Sequence, residues 1–124
     1  IIPESAFSGC SNLTSLDIPE TVTTIEERAF SSTGLTGIKI PEGVSFVNDY
    51  VFYKCDHLSS VNLPDSIRGI GTSAFSDCSS LETMELPKNV SVIGTSAFRN
   101  CKQFNFYYNS RRSDQNSRRD LPKL

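Results

Sequence analysis

The chain has 124 residues, 37% of them apolar and none of them Trp, with a formal net charge of −2. That length bounds it to one ordinary domain, and no run of eighteen apolar residues offers a membrane-crossing helix, so membrane insertion is not expected. The charge is uneven: residues 1–110 carry 12 acidic and 7 basic side chains, residues 111–124 two acidic and five basic. An acidic body lacks the basic face that phosphate contacts require, which argues against nucleic acid as a partner.

The chain starts at Ile1-Ile2-Pro3, with no Met and no leader pattern, and reads as a processed or excised piece. From there one stretch recurs. Residues 6–19 read AFSGCSNLTSLDIP, residues 29–41 AFSSTGLTGIKIP, residues 51–64 VFYKCDHLSSVNLP, residues 74–87 AFSDCSSLETMELP and residues 97–110 AFRNCKQFNFYYNS. Phe7, Phe30, Phe52, Phe75 and Phe98 form a column with steps of 22 or 23 residues. Such a period is the mark of a solenoid.

Each repeat holds two strand-like pieces. The first ends on alternating apolar residues and Pro, as in Leu81–Pro87. Alternation is the period of a half-buried strand, and Pro ends it because it has no N–H for a ladder. The second is a shorter apolar pair, such as Val90 and Ile93. The Ala-Phe-x-x-Cys segment is too short for a stable α-helix and reads as a turn, or a single 3₁₀ turn, that drives Phe inward. A lone repeat cannot bury its apolar face. Stacking yields a right-handed solenoid of about five coils with its inner strands in one parallel sheet. Residues 1–110 form the repeat domain. Its first coil is partial and its last, from Phe104 to Asn109, is degenerate. Residues 111–124 read as a disordered basic tail, polar and nearly free of apolar side chains.

These residues carry a resemblance. The pattern AFxxCxxLxxΦxΦPxxΦxxΦGxx, across about residues 1–109, is similar to the BspA-like (Treponema pallidum-type) leucine-rich repeat. The resemblance implies a leucine-rich-repeat horseshoe, mainly β with short 3₁₀ turns, and a second strand on the convex side in place of a long helix. It also implies a secreted or surface-exposed protein of host-associated bacteria or some parasitic protists, in a family linked to adhesion. The Phe30 repeat departs from the pattern, with Thr33 in place of Cys and one residue fewer before Leu35.

Candidate chemistry is sparse. Cys10, Cys55, Cys78 and Cys101 fall one per repeat, each three residues after its Phe. Metal ligands converge and disulfides demand specific geometry. A column shared with Thr33 reads instead as buried, inert thiols. His57 sits in a turn and no GxSxG-type nucleophile motif accompanies it. The pair Glu26-Glu27 reads as solvated turn residues. Asn12-Leu13-Thr14 and Asn89-Val90-Ser91 match the glycosylation triplet. No catalytic group, cofactor or metal is expected.

The positions between the buried strand columns face the concave side. They are Ser15, Gly37, Ser60, Thr83 and Phe106 in one column, and Asp17, Lys39, Asn62, Glu85 and Tyr108 in the next. The aromatic pair fits an interface and equally a cover over the last coil. The expected function is a non-enzymatic adhesion module. It would bind a host matrix or cell-surface protein, or a glycan, and self-associate through its terminal coils. A spacer that projects another domain is the alternative. Removing residues 111–124 is expected to leave the melting temperature nearly unchanged, as scanning calorimetry will show, because the tail has no repeat position to bury.

Overall fold

The structure is a computed structural model and describes residues 1–102 and 105–108. The expected tail (111–124), Phe104 and Asn109 lie outside the described residues. Among the described residues there is no helix. The chain is built from turns and short parallel strands, the mainly β solenoid that the period demands.

The turn segment around each Phe sets the architecture. Take positions relative to the Phe. The N–H groups at −1, +1 and +3 bond to carbonyls three residues back, as in Ala74 to Gly71, Ser76 to Ser73 and Cys78 to Phe75, at 3.2–3.3 Å. The N–H groups at −2, 0 and +2 cross to the following repeat: Tyr50 to Thr72, Phe52 to Ala74 and Lys54 to Ser76, at 2.9–3.0 Å. The same crossing joins Phe7 to Ala29, Phe30 to Val51 and Phe75 to Ala97. Of the two expected forms, a turn or a single 3₁₀ turn, the segment takes the first, as tandem β-turns. Their ends swing into the left-handed region, at Ser73 (φ 52) and Asp77 (φ 62) and at the matching residues of the other repeats. That reversal breaks the helical sense and frees alternate N–H groups for the neighbour.

Stacking the turns stacks the rings. Phe7, Phe30, Phe52, Phe75 and Phe98 lie with neighbouring centroids 5.3–5.7 Å apart and planes within 12° of parallel. This exceeds the 4.7–4.9 Å spacing of paired strands, which the rings accommodate by sliding into the favoured offset geometry. Leu35, Leu58 and Leu81 are fully buried beside them.

On the outer side, β2 (Phe46–Val47), β4 (Gly69–Ile70) and β6 (Val92–Ile93) form one parallel sheet, with Val47, Ile70 and Ile93 in register. The bridge between Ile2 and Ile25 continues that column toward the N-terminus. Exposed Phe46 lies over Gly69, where a Cβ would meet the ring at 3.2 Å; the ring covers the backbone that glycine leaves bare. The next turn is packed so closely that a Cβ on Gly94 would sit 2.5 Å from Thr72 N, which requires glycine there.

On the inner side, β1 (Gly37–Lys39) pairs with β3 (Ser60–Asn62), and β5 (Thr83–Leu86) pairs with β7 (Asn105–Tyr108), all parallel. The expected single inner sheet is thus two pairs, because β3 and β5 are neighbours without a ladder. Residues 13–18 form no strand, and Leu13 and Leu16 are only half-buried. Pro41, Pro64 and Pro87 end the inner pieces and are buried. Each carbonyl accepts the N–H three residues on, which turns the chain toward the outer side.

Phe75→Ala removes a ring stacked on both faces and is expected to cost about 3–5 kcal/mol. Arg68→Ala, at an exposed position, should stay within about 0.5 kcal/mol. Urea titration of the two variants checks the assignment of the core column.

Candidate functional site

Alternation along the inner strands separates core from surface. Ile38 and Met84 are buried, while Lys39, Ser60, Asn62, Thr83 and Glu85 are exposed. Gly37 is half-buried, and Ser15 and Asp17 are exposed on a segment outside the ladder. Register brings Lys39 beside Asn62 and Gly37 beside Ser60. Thr83 and Glu85 stand across the unladdered junction, where an opening of about 290 Å³ separates the walls of β3 and β5. Lys102 Nζ lies 3.4 Å from Glu82 Oε1 at the end of this face.

The two aromatic candidates differ from the sequence columns. Pairing places Phe106 beside Met84, Tyr107 beside Glu85 and Tyr108 beside Leu86. Phe106 and Tyr108 therefore do not share the register of Thr83 and Glu85, as the columns had it; Asn105 and Tyr107 do. The cause is a connection one residue shorter: the strand starts four residues after Cys101, against five after Cys78.

Three of the four thiols are structural, whereas Cys10, expected to be buried with them, is exposed. Cys55, Cys78 and Cys101 each donate S–H to the Phe carbonyl of the preceding repeat, Phe30, Phe52 and Phe75, at 3.0–3.2 Å. Thr33 Oγ1 lies 3.3 Å from Cys55 Sγ and takes the same place in the stack. Burial pushes the Cys55 thiol up, the Cys78 thiol well above the usual range and the Cys101 thiol up to about 11. A thiol held protonated is neither nucleophile nor metal ligand. His57 is exposed, 3.7 Å from Asp56. Glu26 accepts the Glu4 N–H, and Glu27 pairs with Arg28. Among the described residues no group of His, Cys, Asp and Glu could hold a metal.

One surface cluster escaped the sequence columns. Tyr50 and Tyr53 meet edge to face with centroids 5.3 Å apart. The Arg28 guanidinium lies 4.4 Å from the Tyr50 ring centre, and Lys54 Nζ lies 5.4 Å from that of Tyr53. Tyr50 has φ 60, where a bulky side chain is strained. The available signal was the column itself: two residues before Phe, three other repeats carry Ser5, Ser73 and Ser96. A further opening of about 510 Å³ borders the Phe98 turn and, among the described residues, gathers Thr95, Ser96 and Arg99 as its polar side chains.

Residues 1–114 match the family profile described as BspA type leucine rich repeat region, in 6 copies. The chain belongs to the BspA-type leucine-rich repeat family. No curated protein matches it. Among solved structures it is similar to a leucine-rich repeat protein from Bacteroides ovatus, with 35% identity, TM-score 0.78 and 82% of this chain covered against 26% of that one. It is also similar to a leucine rich cell surface protein from Faecalibacterium prausnitzii, with 36% identity, TM-score 0.76 and coverage of 87% and 29%. The pneumococcal vaccine antigen PcpA is more distant, at 26% identity, TM-score 0.60 and coverage of 69% and 22%. This BspA-type chain thus spans about a quarter of the length of the first two relatives.

The raised Cys101 pKa has a consequence for stability. The unfolded thiol loses its proton near 9, whereas the native one keeps it to about 11, so the native state binds more protons between these values. The contribution is complete below pH 9 and falls as pH rises toward 11. Denaturation midpoints at pH 8 and pH 10.5 should therefore differ more for the wild type than for Cys101→Ala. In the same samples at pH 8, a thiol reagent should label exposed Cys10 at once, and Cys55 and Cys78 only on unfolding.

Proposed function

We propose that this chain is a non-enzymatic binding module of an extracellular or cell-surface protein, which engages a host-surface protein or glycan through its inner face. One observation carries the reading. Through the first four repeats the apolar columns keep Phe, Leu, aliphatic side chains and Pro at matching positions, whereas the exposed inner column changes from Asp17 to Lys39, Asn62 and Glu85. A stacked fold needs the first set and places no demand on the second, so a varied polar row is free to match a ligand. The Faecalibacterium relative is a cell surface protein and PcpA a vaccine antigen, which supports an extracellular place for this chain. The commitment of Cys55, Cys78 and Cys101 to backbone carbonyls supports a non-enzymatic role.

A spacer role is the second reading. It is favoured by the unbroken ring stack from Phe7 to Phe98, which would make a stiff rod of the array. Pull-down from host matrix and cell-surface extracts separates the two. A binding module retains a defined component, and the paired change Lys39→Glu with Glu85→Lys releases it by about tenfold or more, while these exposed sites change stability by no more than about 0.5 kcal/mol each. A spacer retains nothing that responds to the inner face.

A further inference from the structure

The junction between β3 and β5 differs from the inner pair before it. There, Ser59 N–H bonds to Thr36 O and Ile40 N–H to Asn62 O, both at 2.9 Å. The equivalent bonds one repeat later would join Glu82 N–H to Ser59 O and Leu63 N–H to Glu85 O, and neither forms. The parting is confined to the inner side. On the outer side β2, β4 and β6 stay laddered, and between these two repeats the turn bonds at Tyr50, Phe52 and Lys54 remain at 2.9–3.0 Å. The result is a wedge-shaped opening of about 290 Å³. Its floor is apolar, with Val61 and Leu63 left half-buried where Ile38 and Ile40 are covered. Its rim carries the hydroxyls of Ser60 and Thr83 and the amide of Asn62, with Glu85 the one charged residue lining it among those described.

We propose that this opening is a binding site for one ring of a neutral saccharide; the proposal rests on the inner face being the ligand face. The chemistry of the walls selects the ligand. The Leu63 N–H and the Ser59 and Glu85 carbonyls, which make no ladder bond across the junction among the described residues, stand around the space with the hydroxyls of Ser60 and Thr83 and the amide of Asn62. A carboxylate or phosphate can only accept and an ammonium can only donate, so either leaves part of this mixed donor and acceptor set without a partner. A hydroxyl does both. A sugar ring presents several hydroxyls at its edge and an apolar C–H face, which suits a polar rim over half-buried Val61 and Leu63. Size argues the same way. The volume is at the lower limit for small-molecule sites, enough for a single ring. A peptide strand is excluded because it needs about 4.8 Å on each side, and Cα atoms of β3 and β5 approach within 8 Å.

The test is an amide NMR titration of the whole chain with galactose, glucose and N-acetylglucosamine, and with acetate and methylammonium as anion and cation probes. At least one sugar should give saturable shifts confined to residues 59–63 and 82–86. Thr83→Val should weaken that sugar about fivefold or more, the share of one neutral hydrogen bond, with the other resonances unmoved. Should Thr83→Val disturb the β5–β7 pair, Ser60→Ala on the opposite wall gives the same reading. No saturation with any of the three sugars overturns the proposal, which leaves an opening filled by water alone. An equal or stronger response to acetate or methylammonium overturns it too, as does unchanged affinity in both variants. A host protein still retained by the inner face after such a result would leave the binding-module reading standing and remove only the saccharide.

Discussion

Everything in this fold hangs on the alternate N–H groups around each Phe. Those at −1, +1 and +3 close local turns; those at −2, 0 and +2 hold the next repeat. A segment of about six residues has no other way to satisfy its buried backbone, since it is too short for a helix and too bent for a strand. Left-handed residues at both ends make the alternation possible. The sequence meets that demand with tolerant residues at Gly9, Asp77 and Asn100, with small Ser at four positions such as Ser73, and against preference at Arg28, Tyr50 and Lys54. Once the turns are locked in register the Phe rings must stack, and the hydrophobic gain of the column follows from the hydrogen bonds that align it.

The thiol column belongs to the same accounting. The carbonyls of Phe52 and Phe75 each accept the backbone N–H of the Cys in their own repeat. Their second lone pair points into the core, away from water. The Cys of the following repeat fills it with an S–H donor. Ala would leave the acceptor half satisfied, and a larger side chain would part the repeats. Cys is small, apolar in bulk and a weak donor, which is what the space and the carbonyl together allow. Thr33 occupies the same column with a small side chain whose hydroxyl meets Cys55 Sγ.

Features repeated in register were legible in the sequence: the Phe column, the Leu column, the inner strands ended by Pro and the outer apolar pairs. Each is a side-chain requirement that recurs with the period. The last repeat shows where the reading failed. A one-residue deletion also occurs in the Phe30 repeat, where Leu35, Ile38, Ile40 and Pro41 reveal it. From Lys102 to Ser110 no Leu or Pro marks the phase, and four of the five residues Phe104–Tyr108 are aromatic, so bulk alone fits more than one register. A slip of one residue exchanges the two faces of a strand, and that exchange separates the expected Phe106 and Tyr108 from the observed pairing of Tyr107 with Glu85. The missing β3–β5 ladder was illegible for a different reason. It is a matter of backbone spacing, and no residue type in LSSVNLP or LETMELP announces it.

That spacing follows from how the three sides of a repeat are fastened. The turn side is held by three crossing bonds per repeat and a ring stack, and the outer side by a ladder of β-branched residues about a close-packed glycine. The inner strands, though longer than the outer ones, are joined only in two separate pairs, and Pro, which has no N–H, stops each from extending its ladder. When two sides are fixed and the third is weak, any strain in stacking appears as an opening on the third. The inner face is therefore the one place where this array parts without losing its core, and it is also the face whose exposed residues vary. A ligand that bridges β3 and β5 would replace the two bonds the backbone does not make there. Binding and the completion of the inner ladder would then be the same event, with the affinity set by how well the ligand supplies both a donor and an acceptor to each strand.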